Sequence, residues 1–242
     1  MADAIFEDSR LAEIYDPLDP DRSDLDAYAA LADDFSARSV VDIGCGTGTL
    51  ACLLAERGLE VTAIDPAAAS LDVARRKPGA DGVRWLHGYA TALPPLQVDL
   101  VTMTANVAQV FLTDEEWALT LQAVHGALRP GGRLVFESRD PGRKAWLEWN
   151  RDQTYRHVFI PLVGPVDTWT DLTGVERDLV SFLMTFVFGR DGAVLSSHST
   201  LRFRSCDELM KSLIAANLVV DEVRDAPDRL RREFVFIARR TA

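Results

Sequence analysis

Val41-Asp42-Ile43-Gly44-Cys45-Gly46-Thr47-Gly48 is the stretch whose reading decides the fold. An apolar run ends in three glycines at alternate positions. Glycine lets a chain turn sharply from strand to helix and lets a ligand approach the backbone. The helix beyond the turn opens with free amides that favour a carboxylate or another anion. Glu60 to Ile64 reads as a second strand, and Asp65 ends it 21 residues after Gly44, where an acid can hydrogen-bond both hydroxyls of a ribose. Together these fit a ligand with an adenosine end. The dinucleotide fingerprint needs glycine at the first, third and sixth positions of its loop. Counted from Gly44 the sixth position is Thr49, and the third glycine comes early, at Gly48. A pyrophosphate loop is the poorer match, and Asp42 ahead of the turn suits a ligand ending in an amino acid.

Outward from this turn, strands and helices alternate. Ser23 to Phe35 reads as a helix opened by a capping box of Ser23 with Asp26. Thr47 to Arg57 is a helix that Gly58 can close, and another runs to Lys77 before Pro78. Val83 to Leu86 and Val98 to Met103 read as strands. Thr113 with Glu116 caps a helix carrying Trp117, Leu121, Val124 and Leu128 at helical spacing. Arg129-Pro130-Gly131-Gly132 breaks it and leads into Leu134-Val135-Phe136. The repeated strand–helix–strand units predict a doubly wound, mostly parallel α/β sheet with right-handed crossovers.

After Asp140 the rhythm changes. A short helix is expected over Arg143 to Arg151, then period-2 segments around Val158 to Val163, Thr168 to Val175 and Leu179 to Phe188. Arg190-Asp191-Gly192 signals a hairpin turn into a strand from Val194 to Arg204. Ser205 and Glu208 cap a helix through Ala216, and strands over Leu218 to Val223 and Glu233 to Ala238 close the chain. Residues 1–242 thus read as one domain, with 142–204 an embedded antiparallel β insert after strand five.

The segment from about Tyr15 to Asp140 resembles the class I, Rossmann-like S-adenosylmethionine-dependent methyltransferases of the small-molecule type. The resemblance implies a seven-stranded sheet with an antiparallel final strand and S-adenosylmethionine as cofactor. It implies that Gly44, Cys45, Gly46 and Gly48 lie under that cofactor, that Asp42 orients its methionine end, and that Asp65 holds the ribose with Pro66 beside the adenine. Arg129 to Leu134 looks like the family's lead-in to strand five. One departure stands out. After the third strand the family usually reads Gly-Asp-Ala, whereas this chain has Gly88-Tyr89-Ala90. Tyr89 can stack or donate a hydrogen bond but offers no carboxylate, leaving backbone groups at Ala90 and Thr91 to compensate. Related enzymes often fold an N-terminal segment over the cofactor, which for this chain points to Tyr15, expected just ahead of the first helix; the alternative is a hydrophobic staple.

Methyl transfer from a sulfonium is an in-line displacement for which the cofactor supplies the reactivity. The protein has to align the acceptor and exclude water, so no catalytic nucleophile, base or metal can be singled out. Thr104 and Asn106, just beyond strand four, should face both ligands; for Asn106 a local turn role is the alternative. Arg139 and Asp140 stand in the same crevice by position, or form an exposed ion pair. The insert is the expected acceptor lid, with Ser196, His198, Thr200 and Arg202 on one strand face. That face either meets the acceptor or faces water. His198 competes with His87, His125 and His157 as a group titrating near neutrality. Trp146, Trp149 and Trp169 could line an acceptor pocket or simply pack.

Composition narrows the classes. The chain has 48% hydrophobic and 26% charged residues and a net charge of −11, which opposes nucleic-acid binding because phosphate neutralisation needs a basic surface. Leu179 to Phe188 is too short to span a bilayer. The acidic start lacks a signal peptide's basic residues, so a cytoplasmic protein is expected. Three cysteines show no metal-ligand spacing. The reading is methyl transfer to an oxygen or nitrogen of a small molecule. Its alternatives are a nucleotide-binding oxidoreductase on a related sheet, or a protein that binds S-adenosylmethionine without turnover.

Overall fold

Short runs of valine, isoleucine and leucine, buried on both faces, build a sheet that can only be covered from both sides. The computed structural model describes residues 2–226 and 228–241. Helices α1 (Ala4–Glu7), α2 (Ser9–Leu18) and α3 (Asp24–Asp34) precede β1 (Ser39–Ile43). Then come α4 (Thr49–Glu56), β2 (Glu60–Asp65), α5 (Ala68–Ala74), β3 (Val83–His87) and β4 (Val98–Met103). The helix α6 (Asp114–Ala127) leads into β5 (Leu128–Arg139). An inserted segment holds α7 (Arg151–Thr154), β6 (Arg156–Ile160), β7 (Gly164–Glu176), β8 (Leu179–Phe188) and β9 (Val194–Arg202). The chain returns through α8 (Cys206–Ala215), β10 (Leu218–Asp225) and β11 (Glu233–Arg240).

The seven-stranded sheet runs β10-β11-β5-β4-β1-β2-β3, and the insert forms a separate four-stranded sheet, β6-β7-β8-β9. β1 to β5 are parallel, whereas β11 lies antiparallel between β5 and β10. Alternation divides the core: Val41 and Ile43 pack with Trp117, Leu121 and Leu213 of α6 and α8, while Val40 packs with Tyr28 and Leu54 of α3 and α4. All parallel strands therefore end at one edge, which carries Gly44, Asp65 and Arg139.

Local signals mostly became local structure. The capping boxes Thr113–Glu116 and Ser205–Glu208 both form. The one expected at Ser23 does not. Ser23 sits in helical backbone (φ −62°, ψ −18°) with no capping bond from its side chain, and its amide donates to Asp21 Oδ1 at 3.1 Å. The single helix expected over Arg143 to Arg151 is instead two 3-10 turns, Pro141–Arg143 and Ala145–Glu148, followed by α7. Lys144 between the turns has φ +49° and breaks the helical path.

The insert is not a free flap. Phe186 and Phe188 of β8, Val166 and Ile160 join Ile5, Leu11, Ile14 and Leu18 of α1 and α2 in a third core. The guanidinium of Arg10 lies 3.6 Å from the Phe188 ring centroid and pairs with Asp191 at 2.9 Å. The Ile5 amide donates to Ser197 Oγ at 2.9 Å. N-terminal helices and insert sheet bury their apolar faces against each other, so each depends on the other for order. Phe188→Ala is therefore expected to lower unfolding free energy by about 3 kcal/mol and to expose the first 18 residues to limited proteolysis. An unchanged denaturation midpoint and cleavage pattern would show that the two parts are independent.

Candidate functional site

The turn after β1 has φ of +68°, +52° and +77° at Gly44, Gly46 and Gly48. These glycines do different work. A Cβ on Gly44 would lie 2.6 Å from Val107, and one on Gly48 would lie 2.4 Å from the Trp85 ring. Both are required by packing. A Cβ on Gly46 would meet nothing within 4 Å, so this residue shows bare backbone to open space at the sheet's carboxyl edge.

Asp65 holds that turn. Its Oδ2 accepts the Gly46 amide at 2.8 Å and its Oδ1 the Ala67 amide at 2.7 Å, joining the turns after β1 and β2. Burial pushes its pKa up, opposed by those two amides. Asp42 is buried as well and accepts from Thr102 Oγ1 at 2.7 Å; burial raises its pKa to about 7. Burial, with the charges of Asp42 and Asp65 adding to it, pushes the Cys45 thiol upward, so Cys45 stays protonated and unreactive. The Pro66 carbonyl lies 3.0 Å from His87 Nε2. Beyond β3, Tyr89 is half exposed, Ala90 is buried and Thr91 is exposed.

The N-terminal helices lie across this edge. Asp16 accepts from Thr47 Oγ1 at 2.8 Å and pairs with Lys77 Nζ at 2.6 Å, fastening α2 to the glycine turn. Glu7 Oε2 accepts the Ala68 amide at 2.9 Å, fastening α1 to the start of α5. Tyr15 lies inside α2, not ahead of the first helix, because the amphipathic pattern starts at Ser9 with Asp8 as its cap. Its ring sits 5.6 Å from that of Phe6, and burial raises its pKa.

At the end of β4, Thr104 leads into Ala105 and Asn106, at φ +54° and +62°. Two consecutive left-handed residues that are not glycine are strained, and buried hydrogen bonds hold them. The Asn106 amide donates to Glu137 Oε1 at 3.1 Å, and its Nδ2 donates to Glu233 Oε1 at 3.2 Å. Asn106 Oδ1 is buried without a partner. The Tyr28 hydroxyl donates to Glu137 Oε2. Arg139 Nη1 donates to Gln109 Oε1 at 2.9 Å. The turn role of Asn106 is thus present, and its orphan oxygen leaves room for a ligand role.

The four acceptor candidates separate. Arg139 ends β5 at the site edge. Trp169 donates to Asp171 at 2.8 Å, beneath the guanidinium of Arg151 at 4.2 Å. His198 is exposed, whereas Ser197 and Ser199 on the opposite face of β9 are buried. Arg202 is taken up by Asp178 at 2.6 Å and Asp114 at 2.8 Å. The last two are placed as a solvent-facing residue and as a clamp from insert to α6, not as a pair meeting an acceptor. Asp16, Gln109, Glu137 and Glu233 were not singled out in the sequence. The one available signal was Glu137, an acid on the same buried strand face as Val135.

Residues 40–132 match a family model described as a methyltransferase domain. The chain is 32% identical over 146 residues to the cypemycin N-terminal methyltransferase of a Streptomyces species, covering 58% of this chain and 59% of that protein. It spans about half the length of the curated relatives it matches. Among solved structures, an S-adenosylmethionine-dependent methyltransferase from Clostridium acetobutylicum superposes with a TM-score of 0.80 at 18% identity, covering 96% of this chain and 98% of the other. The CcbJ methyltransferase of Streptomyces caelestis superposes with a TM-score of 0.77 at 22% identity, covering 96% of each. At these identities the likeness is one of fold.

The buried acids set a pH dependence. Asp42 has a folded pKa of about 7 against an ordinary 3.8, and Asp65 and Glu137 are raised in the same direction. A raised carboxyl pKa contributes stability that is fully present below the unfolded value and is lost as pH rises through the folded one. Asp42→Asn removes that loss. The variant should therefore gain stability relative to the parent between pH 5 and pH 8 in urea unfolding. An equal difference at both pH values would mean that Asp42 ionises freely in the fold.

Proposed function

We propose that this chain, a member of the methyltransferase-domain family through residues 40–132, transfers a methyl group from S-adenosylmethionine to an oxygen or nitrogen of a small molecule. The observation that carries the reading is the open backbone of Gly46 beside the buried Asp65 at the sheet's carboxyl edge. A flat ligand can lie on Gly46 where a side chain would stand. Each Asp65 oxygen has a lone pair left after its amide bond, enough to accept from a ribose hydroxyl.

The site residues fit the cofactor in these roles. Gly44, Cys45, Gly46 and Gly48 form the floor, and Asp42 braces it from below through Thr102. Pro66, Tyr89, Ala90 and Thr91 surround the adenine end, where backbone groups and the Tyr89 ring replace a carboxylate. Thr104 and Asn106 face the methionine end, and Tyr15 covers it from α2. When bound, S-adenosylmethionine supplies the methyl group and a sulfonium leaving group that keeps the bonding electron pair. The chain's part is alignment and exclusion of water. Residues 142–204 form the acceptor cover together with α1 and α2, and Arg139 is its polar contact. The acidity of the chain argues for a small-molecule acceptor over nucleic acid, and three free cysteines accord with work in the cytoplasm.

The test is calorimetric titration with S-adenosylmethionine, S-adenosylhomocysteine and NAD, then S-adenosylhomocysteine release with a panel of alcohols, phenols and amines. Binding of the first two without NAD, plus release, is expected; tight NAD binding would contradict it. Asp65→Ala should weaken cofactor binding by about 1.5–3 kcal/mol, the scale of a hydrogen bond to a charged group; unchanged affinity in a folded variant would remove Asp65 from the site. Gly46→Val should abolish binding with the fold largely kept, since the side chain fills the ligand's space and strains a left-handed residue. Retained affinity would reduce the loop to a turn.

A further inference from the structure

Arg139 is held from behind and open in front. Its Nη1 donates to Gln109, a fully buried amide whose Nε2 reaches the Arg202 carbonyl at 3.4 Å. Its Nε stands 3.6 Å from Glu233 Oε1. That same oxygen already accepts from Arg229 Nη1 at 2.9 Å and from Asn106 Nδ2 at 3.2 Å. Nη2 has no protein partner among the described residues, and 24% of the side chain is exposed. The Trp149 ring lies 6.0 Å from the guanidinium and is backed by Phe182 and Phe203.

Two guanidiniums, Arg139 and Arg229, share Glu233; Arg229 has Asp228 as a second partner at 3.1 Å, whereas Arg139 has only its 3.6 Å approach to the shared acid. The other acid, Glu137, is capped by Tyr28 and the Asn106 amide, and burial favours its neutral form. Burying Arg139 also disfavours its charge. A partly desolvated cation paired only this loosely attracts an anion far more strongly than a surface arginine does. Its planar fork matches a carboxylate.

We propose that Arg139 is an anion receptor that presents its free edge to a ligand carboxylate, with Gln109 as the positioning residue that aims it and Trp149 as the apolar wall beside it. This rests on the carboxyl edge of the sheet being the ligand site. The carboxylate has two possible sources, the amino-acid end of the cofactor or an acid group on the acceptor. The strand order favours the acceptor, because β4 separates β5 from β1 and its glycine turn.

The test uses the intact chain and three probes. S-adenosylhomocysteine and 5′-methylthioadenosine share the adenosine thioether, but only the first carries a carboxylate; benzoate, titrated with and without S-adenosylhomocysteine, stands for an acidic acceptor. If the acceptor is the source, Arg139→Met leaves both nucleoside affinities within about threefold and weakens benzoate binding roughly tenfold or more. If the cofactor is the source, S-adenosylhomocysteine alone weakens by that factor. Gln109→Leu should give the same selective pattern at smaller size, and Arg139→Lys should restore part of it. It also carries the test if Arg139→Met does not fold. The proposal is overturned if no carboxylate probe weakens selectively, or if both nucleosides weaken equally. Should neither nucleoside bind the parent chain, the cofactor reading fails and benzoate alone decides on Arg139.

Discussion

The carboxylate of Asp65 accepts one amide from the glycine turn after β1 and one from the turn after β2, and the rest of the site is arranged around that pair of bonds. They fix Gly46 with its backbone bare toward the crevice. Val107 closes on Gly44 and Trp85 on Gly48. Asp16 completes the arrangement from above by binding Thr47. Through α2 the position of the turn is then tied to the third core and so to the inserted sheet. Glycine turn, N-terminal helices and inserted sheet thus form one mechanically continuous body.

That body carries an unusual electrostatic load. Asp42, Asp65, Glu137 and Glu233 are all buried in the seven-stranded sheet. Burying a carboxylate is expensive unless it is bonded or neutral. Asp65 is bonded by amides, Glu137 by a tyrosine and an amide, and Asp42 by a threonine with its pKa near 7. Only Glu233 depends on arginines, and it depends on two. Strain follows the same map, with Ala105 and Asn106 held left-handed by the bonds to Glu137 and Glu233. Strain and buried charge gathered at one edge are what a preorganised binding site requires.

Much of this was legible in the sequence because it is written locally. The glycine spacing, the acid ending the second strand and the two capping boxes at Thr113 and Ser205 each depend on residues within one turn of chain. What stayed hidden depends on partners far apart. Ser197 is buried because Ile5, at the other end of the chain, donates to it. The alternation in β9 gave two faces, but nothing local says which one α1 will cover. Asp16 reads as one more solvated helix acid until Thr47 is beside it. Arg202 looked like a reaching cation, yet Asp114 and Asp178 consume it. The missing capping bond at Ser23 shows the reverse case, where Asp21 took the amide first.

One ligand is expected to touch the glycine turn, the Asp65 turn and α2 together. Amide hydrogen exchange of the intact chain with and without S-adenosylmethionine reads all three at once. Added protection is expected at residues 44–48, at 65–68 and along 9–18, because the ligand tightens the turns and α2 is fastened to them. Protection confined to other parts of the sheet, or none in any of the three segments, would contradict it.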